Sequence, residues 1–364
     1  MFEKITIIGL GLIGGSLAAA FKRKNIPAEI VGVDDEAVLE KALAGGLIAS
    51  GFGLGKIEQA VGGADLIFLA TPIQSIFDLL PRVGKYATAG TLISDVGSTK
   101  RLIVAEAAKC LPANVHFLGG HPMTGSEKKG LDAADPFLFE NSYYVIANSP
   151  DVPESLQDGF VRLIERIGAK VICLQADVHD EIAAVVSHLP QLLAVALMTH
   201  VASLNDENSM YLKLAAGGFR DMTRVASSPY STWEHILKTN AGNIRRALES
   251  FVGSLNDVGN LIADDSLEPV FEQAARDRLS IPKDMRGFMH PHFDVSVVVE
   301  DKPGVLAEIT GILAGTNLNI KDIEILKVRE GDAGTLRMAF ASKQERQEAV
   351  RVLRQRYFQV TERD

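Results

Sequence analysis

The chain has few cysteines and no long basic segment. Its 364 residues include two cysteines, Cys110 and Cys173, which lie far apart and form no CxxC pair. This pattern excludes a disulfide framework, predicts no metal site and favours a reducing cytoplasm. The formal net charge is −9, and without a basic run nothing would neutralise nucleic-acid phosphates. No nucleic-acid partner is expected, and local arginines must hold any anionic ligand.

Membrane-spanning segments are also expected to be absent. Residues 5–21 are as apolar as a signal peptide, but they begin almost at Met1, and glycines interrupt them at turn-like spacing. Elsewhere we expect no uncharged apolar run of the roughly 18 to 20 residues that a membrane span needs. A soluble protein with two or three domains and more than one buried core is therefore predicted.

A glycine-rich turn between a buried strand and a helix indicates a dinucleotide site. Residues 4–8 predict the strand, and GLGLIG at 9–14 follows it and opens the helix. The first glycine allows a tight turn, the second lets a pyrophosphate approach the backbone, and the third lets the helix pack on the strand. The helix N-terminus then supplies N–H groups to the phosphate. The predicted contacts from this turn and from the end of a later strand are Gly9, Gly11, Leu12, Ile13, Gly14, Thr71 and Pro72.

A carboxylate follows the second predicted strand. This strand, residues 29–33, ends at Asp34, twenty residues after Gly14, where a carboxylate would accept hydrogen bonds from an adenosine ribose. Asp35 and Glu36 add negative charge, which disfavours a 2′-phosphate. NAD is therefore predicted over NADP, unless a basic side chain folds in from elsewhere. The alternative, a tight turn without a ligand, leaves Asp34 unexplained.

Further apolar segments complete a doubly wound α/β sheet of the Rossmann type. We predict strands at 65–70, 91–95 and 115–118, with helices between them. Ligands bind beyond the carboxyl ends of such strands. His121 is expected there, in a glycine-framed loop where an imidazole can move protons beside a cofactor. Ser98 is expected to reach His121 or the substrate, or to cap a helix over 99–109, and both roles are compatible.

Helical sequence dominates from about residue 177 to residue 280, so an all-α domain is expected to follow. At 100° per residue its first helix carries a polar stripe on an apolar surface, and Pro190 should kink it. The alternative is that these polar groups face solvent or are satisfied between packed helices. The stripe consists of Asp180, Ser187 and Gln191, flanked by His179 and His188.

Two further side chains of the helical region are candidates for ligand contacts. The planar fork of Arg224 suits a carboxylate, although an ion pair with Asp221 is the alternative. For Trp233, the only tryptophan, core packing is expected in preference to contact with a ligand.

The last segment predicts a separate βαββαβ module. A strand over 293–299 precedes DKPG at 301–304 and an apolar-faced helix, and strands over 320–328 and 335–341 follow. A charged helix over 343–356 and a short strand complete it. The predicted domains are therefore residues 1–174, 175–282 and 290–364, and residues 281–290 are expected to form a linker.

Five motifs together resemble the prephenate dehydrogenase family, which includes arogenate and cyclohexadienyl dehydrogenases. They are GLGLIGGS, DVGSTK, GGHPMTGSE, VVSHLP and GGFRDMTR, and the resemblance covers residues 1 to about 280. It implies NAD-dependent oxidative decarboxylation of prephenate or arogenate in tyrosine biosynthesis, by a homodimer whose helical domain forms the interface. The C-terminal module resembles an ACT domain, which implies an amino-acid ligand, tyrosine, and feedback inhibition; the alternative is a module that only dimerises.

The resemblance also implies residue roles. His121 would be the general base, with Ser98 orienting the substrate hydroxyl or the histidine, and Arg224 would grip a substrate carboxylate. Gln191 stands where some relatives have histidine, so the choice between prephenate and arogenate stays open. A non-catalytic sensor is less favoured, because it would need no proton acceptor beside the nicotinamide. A generic 3-hydroxyacid dehydrogenase is also less favoured, because it would be expected to have a lysine or a differently spaced acid-base pair in place of this histidine. The residues expected to gate the site at its mouth are His179, Asp180 and Glu127, and those expected to line it are Ser187 and Trp233.

Overall fold

The structure is a computed structural model that describes residues 2–125, 128–264, 266–280, 293–300, 302–327 and 334–363. They belong to two compact units, Met1–Ser280 and Ile281–Asp364. Two features expected from the sequence, the gating role of Glu127 and the linker at 281–290, lie outside the described residues.

The first unit opens with eight strands that alternate with helices. Both faces of this sheet are buried, because alternate residues of each strand enter different cores: Leu66 and Phe68 pack on one side, Ile67 and Leu69 on the other. The elements are β1 Lys4–Ile8, α1 Leu12–Arg23, β2 Glu29–Val33, α2 Glu36–Ala44, β3 Ser50–Phe52, α3 Ile57–Val61, β4 Leu66–Leu69, α4 Ile73–Tyr86, β5 Leu92–Asp95, α5 Arg101–Cys110, β6 His116–Pro122, β7 Tyr143–Ala147, α6 Glu154–Arg166 and β8 Lys170–Leu174.

The strand order is β3-β2-β1-β4-β5-β6-β7-β8. Every neighbouring pair is parallel except β6 and β7, which are antiparallel. The predicted doubly wound sheet is therefore confirmed, and the carboxyl ends of β1, β2, β4, β5 and β6 lie at one edge.

The predicted loop around His121 is wrong, because strand β6 continues through it. His121 pairs with Val145 of β7. The preceding glycine is needed for close packing, since a Cβ on Gly120 would lie 2.6 Å from the carbonyl oxygen of Asp95 and 2.7 Å from the hydroxyl of Tyr144. His121 thus stands in the part of β6 that pairs with β7, while the first three residues of this strand pair with β5.

The predicted helix start near Ser98 is also wrong. Helix α5 begins at Arg101, and its N-cap residue is Lys100. Ser98 therefore lies in the turn after β5, three residues before the helix, and does not cap it. The backbone N–H groups at this helix start bond to Asp180 instead.

The rest of the first unit is helical, as predicted. A π-helical turn, Ala184–His188, precedes Pro190, so the expected irregularity takes the form of wider i→i+5 hydrogen bonding. The helices are α7 Ala176–Ala183, α8 Leu189–Glu207, α9 Met210–Lys213, α10 Gly217–Thr223, α11 Tyr230–Thr239, α12 Ala241–Ala263 and α13 Glu268–Ser280.

The expectation that no long uncharged apolar run exists is wrong. The continuous helix 176–207 is long and apolar enough to cross a membrane by length and composition, and residues 182–205 contain no Asp, Glu, Lys or Arg. Such a test does not separate a membrane span from a helix used in protein packing. Four polar side chains of this helix are buried within the first unit, namely His179, Asp180, His188 and Gln191.

The helical part leaves many apolar side chains exposed. They form a set on α7, the π-helical turn, α8 and α12 that the described residues of this chain do not cover. Exposed apolar clusters of this kind mark interaction surfaces in soluble proteins. The set includes Val178, Ile182, Val185, Val186, Val195, Val252, Leu255, Val258 and Ile262.

The second unit has the predicted βαββαβ order. Its strands form an antiparallel sheet in the order β10-β11-β9-β12, and both helices pack their apolar faces on it. Gly304 takes φ +93° just before the first helix, a conformation that favours glycine. The elements are β9 Phe293–Val299, α14 Val305–Gly315, β10 Asp322–Lys327, β11 Gly334–Phe340, α15 Lys343–Gln355 and β12 Gln359–Arg363.

Candidate active site

The glycine turn between β1 and α1 has the geometry of a nucleotide site. Gly9 takes φ +93°, and a Cβ on Gly14 would lie 1.8 Å from the carbonyl oxygen of Gly9, so both positions require glycine. A Cβ on Gly11 would meet no protein atom within 4 Å. The backbone at Gly11 is therefore open to a ligand, which fits the pyrophosphate of a dinucleotide.

Two polar side chains beside this turn also fit a dinucleotide. Asp34 follows β2, and its carboxylate accepts hydrogen bonds from the backbone N–H groups of Leu10, at 2.6 Å, and Asp35, at 2.7 Å. It is thereby fixed next to the turn, half-buried, where a ribose would lie. The hydroxyl of Thr71 is buried and has no hydrogen-bond partner among the described residues, so it is available to a bound ligand.

A cleft of about 520 Å³ opens at this edge of the sheet. It runs from the glycine turn to the start of α11, so both parts of the first unit contribute to it. Trp233 lines this cleft and also packs against the core of the sheet domain, which reconciles the two expectations for it. Other lining residues are Leu12, Ile13, Thr71, Pro72, Gly97, Ser98, Lys128, Lys129, Ser228, Thr232, His235 and Ile236.

The half-buried His121 is joined to two buried polar side chains. Its Nδ1 lies 2.8 Å from Nε2 of His179, and Nδ1 of His179 lies 2.8 Å from Oδ1 of Asp180. Within the described ranges no hydrogen bond joins His121 to Ser98, for which contact with His121 or with the substrate was predicted. The structure instead joins His121 to a pair that lies 58 residues further along the chain.

The expected placement of His179 and Asp180 at the mouth of the site is wrong. Their side chains are 3% and 0% exposed. The carboxylate of Asp180 accepts hydrogen bonds from the backbone N–H groups of Lys100 and Arg101, at 2.6 and 3.0 Å. Burial alone would raise the pKa of Asp180, but the bonds from His179 and these N–H groups hold it below its usual value. Asp180 is therefore a buried carboxylate that stays ionised.

A second buried carboxylate joins the turn of Ser98 to the strand of His121. Asp95 accepts hydrogen bonds from the N–H groups of Gly97, at 2.8 Å, and Gly120, at 3.1 Å, and forms an ion pair with Lys100. Burial lowers the pKa of Lys100, and Asp95 opposes that change. Neither residue was predicted to belong to the site, although the sequence shows a strand that ends in Asp95 and is followed by Lys100.

His188 and Asn240 support the same region from the helical side. Nδ2 of Asn240 donates to the carbonyl oxygen of Asp180 at 2.7 Å and lies 3.3 Å from Nδ1 of His188. The ring of His188 meets Trp233 edge to face, with centroids 5.9 Å apart. Burial lowers the pKa of His188 to about 4, so this imidazole is neutral at physiological pH.

Three other predicted substrate residues lie in the helical part of the first unit. Arg224 is exposed and begins the 3₁₀ turn that follows this helix. Gln191 is buried and donates from Nε2 to the carbonyl oxygen of Val225 at 2.9 Å, so it fixes the residue beside Arg224. Ser187 is half-buried in the π-helical turn, and the contacts of the described residues assign it no partner.

The electrostatics of His121 suit a proton acceptor. Burial, and then the neighbouring His179, Lys100 and His188, hold the pKa of His121 well below its usual value. The imidazole is therefore neutral near pH 7 and can accept a proton. It stands at the carboxyl end of β6, at the edge of the sheet where the nucleotide turn lies.

Family models match the sequence over nearly the whole chain. Residues 17–173 match the prephenate dehydrogenase nucleotide-binding domain, and residues 175–275 match the prephenate dehydrogenase dimerization domain. This chain belongs to the prephenate dehydrogenase family. The first match begins after the glycine turn, so the assignment of that turn depends on its geometry. Residues 295–355 match the AHAS small subunit-like ACT domain.

Individual relatives agree with this family. The prephenate dehydrogenase of Bacillus subtilis is 34% identical over 358 residues, which cover 96% of this chain and 95% of the relative. The crystal structure of Aquifex aeolicus prephenate dehydrogenase with hydroxyphenyl propionate and NAD+ has a TM-score of 0.70 and 27% identity, covering 77% of this chain and 97% of that one. The crystal structure of Synechocystis arogenate dehydrogenase has a TM-score of 0.69 and 28% identity, covering 77% of this chain and all of that one.

Alanine at Gly11 should weaken nucleotide binding without weakening the fold. A Cβ there meets no protein atom, so it would enter only the space that a pyrophosphate needs. We expect the Kd for NAD to rise at least about tenfold while the Tm of the free protein is unchanged, measured by titration calorimetry and thermal unfolding. Gly53→Ala, also free of steric conflict, is the matched control. Equal Kd values for the two variants would contradict this use of the turn.

Proposed function

We propose that this protein catalyses the NAD-dependent oxidative decarboxylation of prephenate to 4-hydroxyphenylpyruvate, CO2 and NADH, in tyrosine biosynthesis. The observation that carries the proposal is the neutral His121 at the carboxyl end of β6, at the same edge of the sheet as a glycine turn that fits a dinucleotide. Family membership over both domains supports the same activity. Arogenate is the second candidate substrate, since arogenate dehydrogenase is among the similar structures.

The residues then have defined roles. The glycine turn and Asp34 would hold NAD, which would supply the acceptor for a hydride from the ring carbon that carries the substrate hydroxyl. His121 takes the proton of that hydroxyl, and loss of carbon dioxide makes the ring aromatic. Ser98, which lines the cleft, orients the hydroxyl. The contacts we assign to the nucleotide are Gly9, Gly11, Leu12, Ile13, Gly14, Asp34, Thr71 and Pro72.

Arg224→Ala should chiefly raise the Michaelis constant for the substrate. Because the guanidinium is assigned to a substrate carboxylate, its removal loses a charged hydrogen bond, for which we expect a rise of roughly 10- to 100-fold with kcat little changed. Arg220→Ala, an arginine one turn earlier on α10, is the matched control. Steady-state kinetics of both variants decide the point, and an unchanged constant in Arg224→Ala would assign that arginine a structural role.

Assembly and regulation follow from the other two domains. We propose a cytoplasmic homodimer in which the exposed apolar side chains of α7, α8 and α12 are covered by the partner, since this region matches a dimerization domain. We further propose that the ACT domain binds tyrosine and that binding lowers activity, which requires different tyrosine affinities in the active and inactive states. The proposed domain bounds are 1–174, 175–282 and 290–364.

The test of the proposed function is NADH formation by the purified protein with NAD and either prephenate or arogenate, each with and without tyrosine. Turnover of prephenate with a larger kcat/KM than arogenate is the expected result, and tyrosine should reduce it. A preference for arogenate would transfer the assignment to the second candidate. Absence of turnover with either substrate, in protein that still binds NAD, would contradict a catalytic role.

A further inference from the structure

His121 can act as a base only if one particular ring nitrogen carries its lone pair. A neutral imidazole has one N–H donor and one acceptor nitrogen, and the hydrogen bond at one nitrogen decides which is which. Nδ1 of His121 faces His179, so Nε2 is the nitrogen left for a substrate. The state of Nδ1 therefore decides whether the base is ready to react.

Asp180 determines which ring nitrogen of His179 carries a hydrogen. An ionised carboxylate only accepts hydrogen bonds, and Asp180 already accepts two from the backbone N–H groups of Lys100 and Arg101. Nδ1 of His179, 2.8 Å from this carboxylate, must therefore carry a hydrogen. In the neutral ring Nε2 of His179 is then an acceptor, and the atom 2.8 Å from it, Nδ1 of His121, must be the donor.

The charges around these rings agree with a hydrogen bond donated by His121 to His179. His188, which faces the same pair, is neutral because burial lowers its pKa to about 4. The ammonium group of Lys100 is paired with Asp95. It therefore does not compete with His179 for the Asp180 carboxylate, to which Lys100 donates from its backbone N–H. Asp180 is thus the carboxylate that directs the hydrogen bonds from His121 through His179.

We propose that His179 is a positioning residue which, oriented by Asp180, holds His121 in the tautomer whose lone pair is on Nε2. When Nε2 takes the substrate proton, the new charge on His121 is stabilised through His179 by the Asp180 carboxylate. The His179 side chain is only 3% exposed, so it is assigned to positioning His121 and not to contact with substrate or nucleotide. This inference rests on the proposed function for the identity of the reaction, but the tautomer of the free protein does not depend on that reaction.

Two substitutions at one position separate this role from a merely structural one. In His179→Gln the amide keeps an acceptor for His121 and a donor for Asp180, whereas His179→Leu removes both. We expect kcat in His179→Leu to fall about 100-fold or more and kcat in His179→Gln to stay within about tenfold of the unsubstituted protein, with the Kd for NAD unchanged in both. Equal losses of kcat in the two variants would overturn the proposal.

A direct measurement of the tautomer completes the test. Nitrogen NMR of the ¹⁵N-histidine-labelled full-length protein, without substrate, should show the hydrogen of His121 on Nδ1, with its signals assigned by their loss in His121→Asn. In His179→Leu the preference for Nδ1 should disappear, and in His179→Gln it should persist. A hydrogen on Nε2 in the unsubstituted protein would overturn the proposal even if the protein turns over prephenate. Absence of turnover with the hydrogen on Nδ1 would contradict the proposed function and leave the tautomer assignment standing.

Discussion

Replacing His121 with asparagine should lower kcat by about two to four orders of magnitude, because the variant retains hydrogen bonding but has no nitrogen that can accept the substrate proton. The Kd for NAD should be nearly unchanged, since the glycine turn and Asp34 belong to other strands. Stopped-flow and steady-state measurements of NADH formation give both quantities. Pairing with the neighbouring strand β7 should hold the substituted asparagine in place, so loss of the fold does not explain the result.

The pH profile of kcat/KM provides a second test of His121 as the proton acceptor. Because the pKa of His121 is held well below its usual value of about 6.5, activity should fall on the acid side only well below that pH. His116→Asn removes an imidazole from the other end of the same strand and serves as the control, with normal turnover expected. Near-normal turnover in His121→Asn would exclude this histidine as the base.

Replacing Lys100 with methionine should destabilise the first unit by about 3 to 5 kcal/mol. The Lys100 and Asp95 side chains are both 0% exposed, so the substitution leaves a carboxylate in the interior without its cation. Asp95 keeps its bonds from Gly97 and Gly120, which do not neutralise its charge. Unfolding in urea can be followed through the fluorescence of Trp233, the single tryptophan, which reports on this unit alone.

An exposed ion pair of the same residue types provides the comparison. Lys41 and Asp132 lie 2.8 Å apart, with side chains 59% and 79% exposed. Lys41→Met should therefore cost less than about 1 kcal/mol, since water screens both charges. If the two methionine variants unfold at the same urea concentration, the buried pair does not hold the sheet and its turn together.

The features that the sequence predicted correctly depend on neighbouring residues. The GLGLIG turn, the alternation of strands and helices, and the βαββαβ order of the last module all follow from spacing within one or two elements. The tight approach of Gly14 to Gly9 and the open space at Gly11 agree with the motif position by position. Nucleotide binding could therefore be predicted without knowledge of the tertiary structure.

The errors arose where distant residues decide the structure. Gly119 and Gly120 suggest a loop because glycine is rare inside strands, but pairing with β7 and close packing against Asp95 override that preference. Nothing near His179 in the sequence shows that its ring meets His121 or that Asp180 holds the start of α5. The sequence predicted the polar stripe that runs from α7 through the π-helical turn into α8, but not the surface against which the stripe packs.

The continuation of strand β6 through His121 gives the proposed base the rigidity of the sheet. A side chain on a mobile loop must lose conformational entropy each time it aligns with a substrate, whereas His121 is ordered before the substrate arrives. The segment that carries it opens only when its hydrogen bonds to β7 break, and the preceding residues 116–118 of the same strand are paired with β5. The order of the proposed base therefore depends on the fold itself, and substitutions that loosen β7 should reduce stability and turnover together.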